Sequence, residues 1–446
     1  PLLSSSKMPK RINRKALYSL LKFGAVSQPL TILEDVFCLL PGHYMYVEPQ
    51  GKHSIEKYYD LAEETTKHNI SSLGDEELIA LTRKQLEEAA KYHLVADVEV
   101  GAFLSGGVDS TAIVSMMSEL VSKPIKTFSV GFEGKAEVED ELPIAREVSK
   151  YLGTDHQEVR ITNELVGSIF DSFISAIDQP SIDGINTYIV SKFTSQNVKV
   201  ALSGLGGDEI FMGYPHFRDI LLGVKKRKNI VSNAGKFLDS LRPNRFTAKY
   251  RFLGLEPETA ICQTREIISQ VKLNTLLSST CDRDLVPCRS GLSLTSRMSL
   301  MEIENYLRNT LLRDSDAVSM AFSLEIRPIL LDHKLVEFVL ALPDRMKIKG
   351  NSLKYVFIQA VKDRIPQICW DRKKTGFEMP FVSWMSDVLY DRLNSYVHSE
   401  NAKQLFSEQY HVHLLENIKN KKIKREYWLY LILLAWLEEY NIPVVF

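Results

Sequence analysis

The chain has 446 residues, 45% of them hydrophobic and 25% charged, enough to bury a sizeable core in two or three structural units. Its formal net charge of -1 gives no overall field toward nucleic acid or a membrane surface. Five cysteines (Cys38, Cys262, Cys281, Cys288, Cys369) include no Cys-x-x-Cys pair, and their odd number argues against a disulfide framework, so they read as reduced thiols of a cytoplasmic protein.

Residues 1–13 are polar and basic and lack the apolar centre of a signal peptide. Residues 12–23 have the spacing of one amphipathic helix. Residues 39–47 read as a turn leading into a strand, with His43 beside the turn in a structural role. Residues 1–74 thus read as a lead-in segment rather than a domain with its own core. From residue 75 the pattern becomes regular. Residues 75–93 have helical periodicity, and the apolar run 98–104 reads as a buried strand. Strands over 126–132, 156–161 and 198–202 follow, separated by helices over 140–152 and 163–177. This alternation predicts an α/β core over 75–222, a doubly wound parallel sheet with helices on both faces. Ligands of such sheets bind beyond the carboxyl ends of the strands.

Three loops fall at those ends. The first, Ser105-Gly106-Gly107-Val108-Asp109-Ser110, lies between a strand and a helical pattern over 111–117. Its glycines permit close approach of a ligand, and free N–H groups of the new helix favour phosphate. A carboxylate at Asp109 would repel phosphate, and it makes sense with Mg²⁺ between the two. The second loop is the Val130-Gly131-Phe132 turn. The third runs from Ser203-Gly204-Leu205-Gly206-Gly207-Asp208-Glu209 to Tyr214. It again joins glycines to a carboxylate, and Asp208 is the natural partner of Asp109 on one metal ion. Glu209 reads either as a further ligand or as a charge in a helix first turn.

Residues 223–446 read as a largely helical part that completes the site. Lys225-Lys226-Arg227-Lys228 has no interleaved aromatics and reads as a solvated face. Residues 297–322 form one or two helices. In Asp371-Arg372-Lys373-Lys374-Thr375-Gly376-Phe377-Glu378-Met379-Pro380, three cations are held against a glycine turn, as in a rigid loop aimed at something anionic. The run 419–425 lacks such anchors and reads as surface. Residues 428–437 are too few to span a membrane and read as a buried C-terminal helix.

The first loop resembles the PP-loop of the ATP pyrophosphatases; the Gly-x₄-Gly-Lys-Ser/Thr pattern of P-loop proteins is absent. Further ordered stretches are similar to the synthetase domain of glutamine-dependent asparagine synthetases. Among them are Leu40-Pro41-Gly42-His43, Phe128 to Phe132, Asp178-Gln179-Pro180, Ser203 to Tyr214, Ser319-Met320-Ala321, Leu331-Asp332 and Arg372 to Phe377.

The resemblance implies ATP and Mg²⁺. Ser105, Gly106, Gly107 and Ser110 would hold the pyrophosphate part, and backbone groups at Leu104, Val130, Ser203 and Gly204 the other end of the nucleotide. Asp109 and Asp208 would bridge through the metal. A substrate carboxylate would attack the α-phosphate, and ammonia or an amine would then displace AMP, with Lys374 steadying charge in both steps. The resemblance puts Pro1 near where the family's glutaminase domain ends. The expectation is therefore a chain with no glutaminase of its own, supplied with ammonia or an amine separately, from another chain or domain, with room for a homodimer. Leu205 stands where asparagine-forming enzymes carry an acid, and Ala317 where many relatives have arginine. β-Lactam synthetases and lasso-peptide cyclases keep the adenylating machinery while forming amides within one substrate, so a macrolactam or β-lactam type is the alternative. A PP-loop tRNA-modifying enzyme and an inactive scaffold are the remaining readings.

Overall fold

The computed structural model describes residues 2–5, 8, 10–70, 72–133, 141–227, 255–277, 291–371 and 379–445, with the side chains of 4 and 224–227 outside the description. Helix α1 (Arg14–Phe23) starts where the Asn13 side chain accepts from the N–H groups of Lys15 and Ala16, and stops at Gly24, whose φ of 81° a side chain would disfavour. Ile12, expected inside the helix, precedes this cap. The expected strand after Gly42 is β1 (His43–Val47), paired antiparallel with β2 (His53–Lys57).

The alternating region contains α2 (Asp75–His93), β3 (Val100–Phe103), α3 (Val108–Leu120) and β4 (Lys126–Phe132). It continues with α4 (Leu142–Leu152), β5 (Asp155–Ile161), α5 (Asn163–Ala176), α6 (Ile185–Thr194) and β6 (Val200–Ser203). Beyond it lie α7 (Pro215–Arg227), α8 (Leu294–Glu302), a π-helical stretch (Ile303–Leu312), α9 (Arg313–Met320), β7 (Glu325–Pro328), α10 (Tyr355–Val361) and α11 (Tyr427–Glu439). The main sheet has five strands in the order β5-β4-β3-β6-β7, all parallel.

Two elements depart from the sequence reading. Helix α6 follows Asp178-Gln179-Pro180, where no element was expected. Strand β7 comes from the segment read as helical, so the boundary at residue 222 divides the sequence and not the sheet. Its four residues, Glu-Ile-Arg-Pro, have no strand pattern of their own. They are extended because they pair with buried β6, Val200 opposite Glu325 and Ser203 opposite Pro328. An edge position tolerates the proline.

The strand order places the site. From β3 the chain steps to β4 and β5 on one side, while β6 and β7 lie on the other. The loops leaving β3 and β6 therefore diverge at a switch point, where a parallel sheet opens a crevice. Behind the sheet, α11 is buried along residues 427–437, as expected. Its Trp428 and Trp436 indoles donate to the carbonyls of Ile182 and Ile177 at 3.0 and 3.1 Å. Residues of α1, α5 and α11 share one hydrophobic core, which fixes the helical part to the sheet. Among the described residues no helix is long and apolar enough to cross a membrane.

Candidate active site

A cavity of about 870 Å³ opens at the switch point. Leu104, Ser105, Gly107, Asp109, Val130, Ser203 and Asp208 line it. Gly106, Ser110 and Gly204 belong to the same loops. The first loop is shaped by packing. Gly106 has φ 71°, and a Cβ there would lie 2.7 Å from Ile144 of α4, so only glycine lets the turn pass under that helix. Ser105 and Ser110 tie the turn across itself. Their hydroxyls are 3.0 Å apart, and Ser105 N donates to Ser110 Oγ at 3.1 Å. Helix α3 begins at Gly107 with no capping side chain, so its first-turn N–H groups have no side-chain acceptor there.

The two loops touch. A Cβ on Gly204 would be 3.1 Å from Asp109 Cβ, and one on Gly207 would press on the Asp109 carboxylate at 2.6 Å. Glycine at both positions lets the carboxylates of Asp109 and Asp208 meet. Between them stands an ammonium. Lys354 Nζ lies 2.7 and 2.5 Å from the two Asp109 oxygens and 2.7 Å from Asp208 Oδ1. A Cβ on Gly213 would run into both Asp208 and the Lys354 stem, so a third glycine seats the clamp. Burial pulls the Lys354 pKa down, but Asp109 and Asp208 outweigh it and hold the group above its usual range, charged at neutral pH.

The sequence reading missed Lys354. It is nearly buried, has φ 51° and begins α10. The available signal was a lone cation in Leu353-Lys354-Tyr355-Val356-Phe357, since a charge in a buried run needs a partner. Lys374 and its neighbours Arg372 to Glu378 lie outside the described residues, as do Lys228 and the side chains of Lys225 to Arg227.

Glu209 does not line the cavity. It is buried and accepts the Tyr214 hydroxyl at 2.5 Å. Burial first, then the nearby Asp208 charge, push its pKa up to about 7. Behind it is a second polar cluster. The Arg265 guanidinium stacks 4.4 Å from the Tyr214 ring and 3.9 Å from Tyr306, and its Nε donates to Glu302 at 2.9 Å. His216 Nε2 is 3.0 Å from the same carboxylate. His43 is held by its own turn, Nδ1 lying 2.9 Å from Pro41 O. The run 419–425 is largely exposed, as expected.

The asparagine synthase sequence pattern matches residues 81–438, which takes in both glycine loops and the clamp. The chain belongs to the asparagine synthase family. "Asparagine synthetase [glutamine-hydrolyzing] 1" of Bacillus subtilis is 28% identical over 445 residues, covering 95% of this chain and 68% of that protein. "Amidase chyE" of Penicillium rubens is 26% identical, covering 84% of this chain and 63% of that protein. This asparagine synthase-family chain thus spans roughly two thirds of the length of these relatives. An ammonia-dependent NAD synthetase from Campylobacter jejuni superposes on 40% of this chain and 93% of its own, with 13% identity and a TM-score of 0.24. That overlap is too loose to bear on the site.

The donor set suits the metal expected for this family. Magnesium keeps phosphate oxygens and waters and needs only one or two carboxylates from the protein. Asp109 and Asp208 supply two, against the single positive charge of Lys354. Among the described residues no group of three or more His, Cys, Asp or Glu forms a separate metal cage.

Proposed function

We propose that the chain is an ATP-dependent amide-forming ligase that activates a carboxylate as its acyl-adenylate and passes the acyl group to ammonia or an amine. One observation carries the reading: two glycine loops at the switch point bring Asp109 and Asp208 onto one ammonium beside the uncapped N-terminus of α3. Ser105, Gly106, Gly107 and Ser110 would cradle the β- and γ-phosphates, and Leu104, Val130, Ser203 and Gly204 the rest of the nucleotide. Asp109 and Asp208 would hold Mg²⁺, which supplies charge neutralisation at the phosphates. A carboxylate oxygen attacks the α-phosphorus and pyrophosphate leaves. A neutral amine nitrogen then attacks the acyl carbon, AMP leaves with the C–O electron pair, and the nitrogen sheds its extra proton.

Lys354 adds fixed positive charge that needs no reorganisation during the reaction. Lys374 is assigned the charge-steadying role by family resemblance. Ammonia from a separate glutaminase domain or chain, and a cytosolic setting suggested by the odd number of cysteines, belong to the same reading. Product analysis tests it. Carboxylate-dependent ATP–pyrophosphate exchange with AMP as product is expected, and Asp109→Ala should abolish it. ADP and phosphate as coupled products would sink the adenylation.

A further inference from the structure

Helix α7 follows the third loop, and the packing of its first turns decides which side chains the cavity receives. Phe217 and Ile220 are buried with Met212, Ala260 and Met298 in a small core of their own. His216 stacks on the Tyr214 ring and lies 3.0 Å from Glu302. These contacts fix the rotation of the helix. Pro215 and Arg218, three residues apart and so on one face, are left to line the cavity. A Cβ on Gly213 would meet both Asp208 and Lys354, so the helix starts directly beside the clamp.

Arg218 is poorly matched by its own surroundings. Among the described residues its ion-pair contact is the neighbouring Asp219, at a long 3.7 Å between side chains that are 36% and 44% exposed, and such a pair is worth little. The other charged groups of the cavity stand differently. Asp109 and Asp208 share Lys354. Glu141 begins α4, whose Ile144 packs against Gly106 of the first loop. Helix α4 follows β4 and α7 follows β6, and these strands flank β3 on opposite sides. Glu141 therefore belongs to the phosphate-loop flank of the crevice and Arg218 to the other. A guanidinium is a planar fork matched to carboxylate or phosphate oxygens, and that of Arg218 is open to a solute.

We propose that Arg218 is a specificity-determining residue of the ligase, anchoring a second, non-reacting anionic group of the substrate acid, a carboxylate or a phosphate. This rests on the ligase reading above and adds the feature by which the site selects its acid. Holding the acid at its far end orients the reacting carboxylate and leaves its oxygens free to attack. The anchor makes no demand on an amino group, so acids with and without one fall in the same class.

The test is ATP–pyrophosphate exchange with acids paired so that only the second anion differs: L-aspartate with β-alanine, succinate with butyrate, and 3-phosphoglycerate with glycerate. The first two pairs score a carboxylate with and without an amino group, and the third scores a phosphate. In at least one pair the acid with the second anion should exchange about tenfold or more faster than its partner, as a charge-assisted bidentate contact implies. Arg218→Gln should raise the KM of that acid about tenfold or more while leaving the KM of ATP and of pyrophosphate nearly unchanged. Arg218→Lys should recover part of the loss, whereas general structural damage would move all three constants. Equal exchange within every pair would overturn the anchor and leave the ligase standing. An Arg218→Gln effect confined to ATP or pyrophosphate would do the same, by placing the guanidinium on the phosphates. Silence across all six acids, with Mg-ATP still bound by calorimetry, would count against the ligase and take the anchor with it.

Discussion

The buried Lys354 and the partly buried Arg265 sit against acids with opposite consequences. Lys354 faces two carboxylates on the wall of an open cavity, so the clamp has a net charge of -1 and can still accept positive charge. Arg265 faces one buried carboxylate, Glu302, between two tyrosine rings, so one positive charge meets one negative charge there. The imbalance at Lys354 suits a ligand site, and the balance at Arg265 suits a structural one. A buried pair therefore says little about function until the charges on both sides are compared.

Breaking the balanced pair should have the largest effect. Arg265→Met leaves Glu302, which is 0% exposed, to His216 at 3.0 Å and should destabilise the fold by about 3 kcal/mol. Chemical denaturation measures this, and Mg-ATP affinity of the folded fraction should be unchanged. A matching loss of nucleotide binding would merge the two regions into one.

Lys354→Met should cost less, about 2 kcal/mol, because the freed carboxylates border the cavity and regain water. Its distinctive mark is ionic. With the ammonium gone, Mg²⁺ alone should raise the melting temperature of the variant more than that of the parent. Equal shifts would show that the clamp is not a cation site.

Glu209 lies between the two regions, and pH separates its contribution. Its folded pKa of about 7 exceeds the unfolded carboxylate value near 4.5. Between these values the folded state binds the extra proton, so stability falls as pH rises from about 4.5 to 7 and then levels. The loss should be on the order of 3 kcal/mol, and Glu209→Gln should flatten that part of the profile in melts at pH 5, 6 and 7. An unchanged slope would assign it to another group, with Asp314, raised to about 6 by burial, next in line.

The smallest change in stability is expected for Asp109→Asn, within about 1 kcal/mol, since Asp208 still holds the ammonium. Mg-ATP affinity should nevertheless fall at least about tenfold by calorimetry. Undiminished affinity would remove Asp109 from the metal site.

The sequence made visible whatever is signalled locally. The loops from Ser105 and Ser203 each combine glycines, a carboxylate and a preceding apolar strand within a dozen residues. Strand β4 was legible to the residue for the same reason. Lys354 was not, because it meets Asp109 across 245 positions and no pattern around it names that partner. Strand β7 is made by its neighbour rather than by its own composition. The Arg265 cluster draws on Tyr214, Glu302 and Tyr306, three polar residues in stretches whose sequence suggests only helix or loop. Long-range pairing of charges is a property of the finished packing, and single-sequence periodicity does not contain it.

The late position of Lys354 also bears on the order in which the protein can assemble. As the chain leaves the ribosome, β3, β6 and both acidic loops are available long before the lysine that neutralises them. Until residue 354 arrives, Asp109 and Asp208 repel each other across the crevice, and until residues 325–328 arrive β6 lacks its edge strand. The loops gain by staying apart during this interval. Their closure is then timed by distant contacts, whose loop entropy must be overcome before any local gain. Nascent fragments ending before this point should carry the glycine motifs and still fail to retain nucleotide.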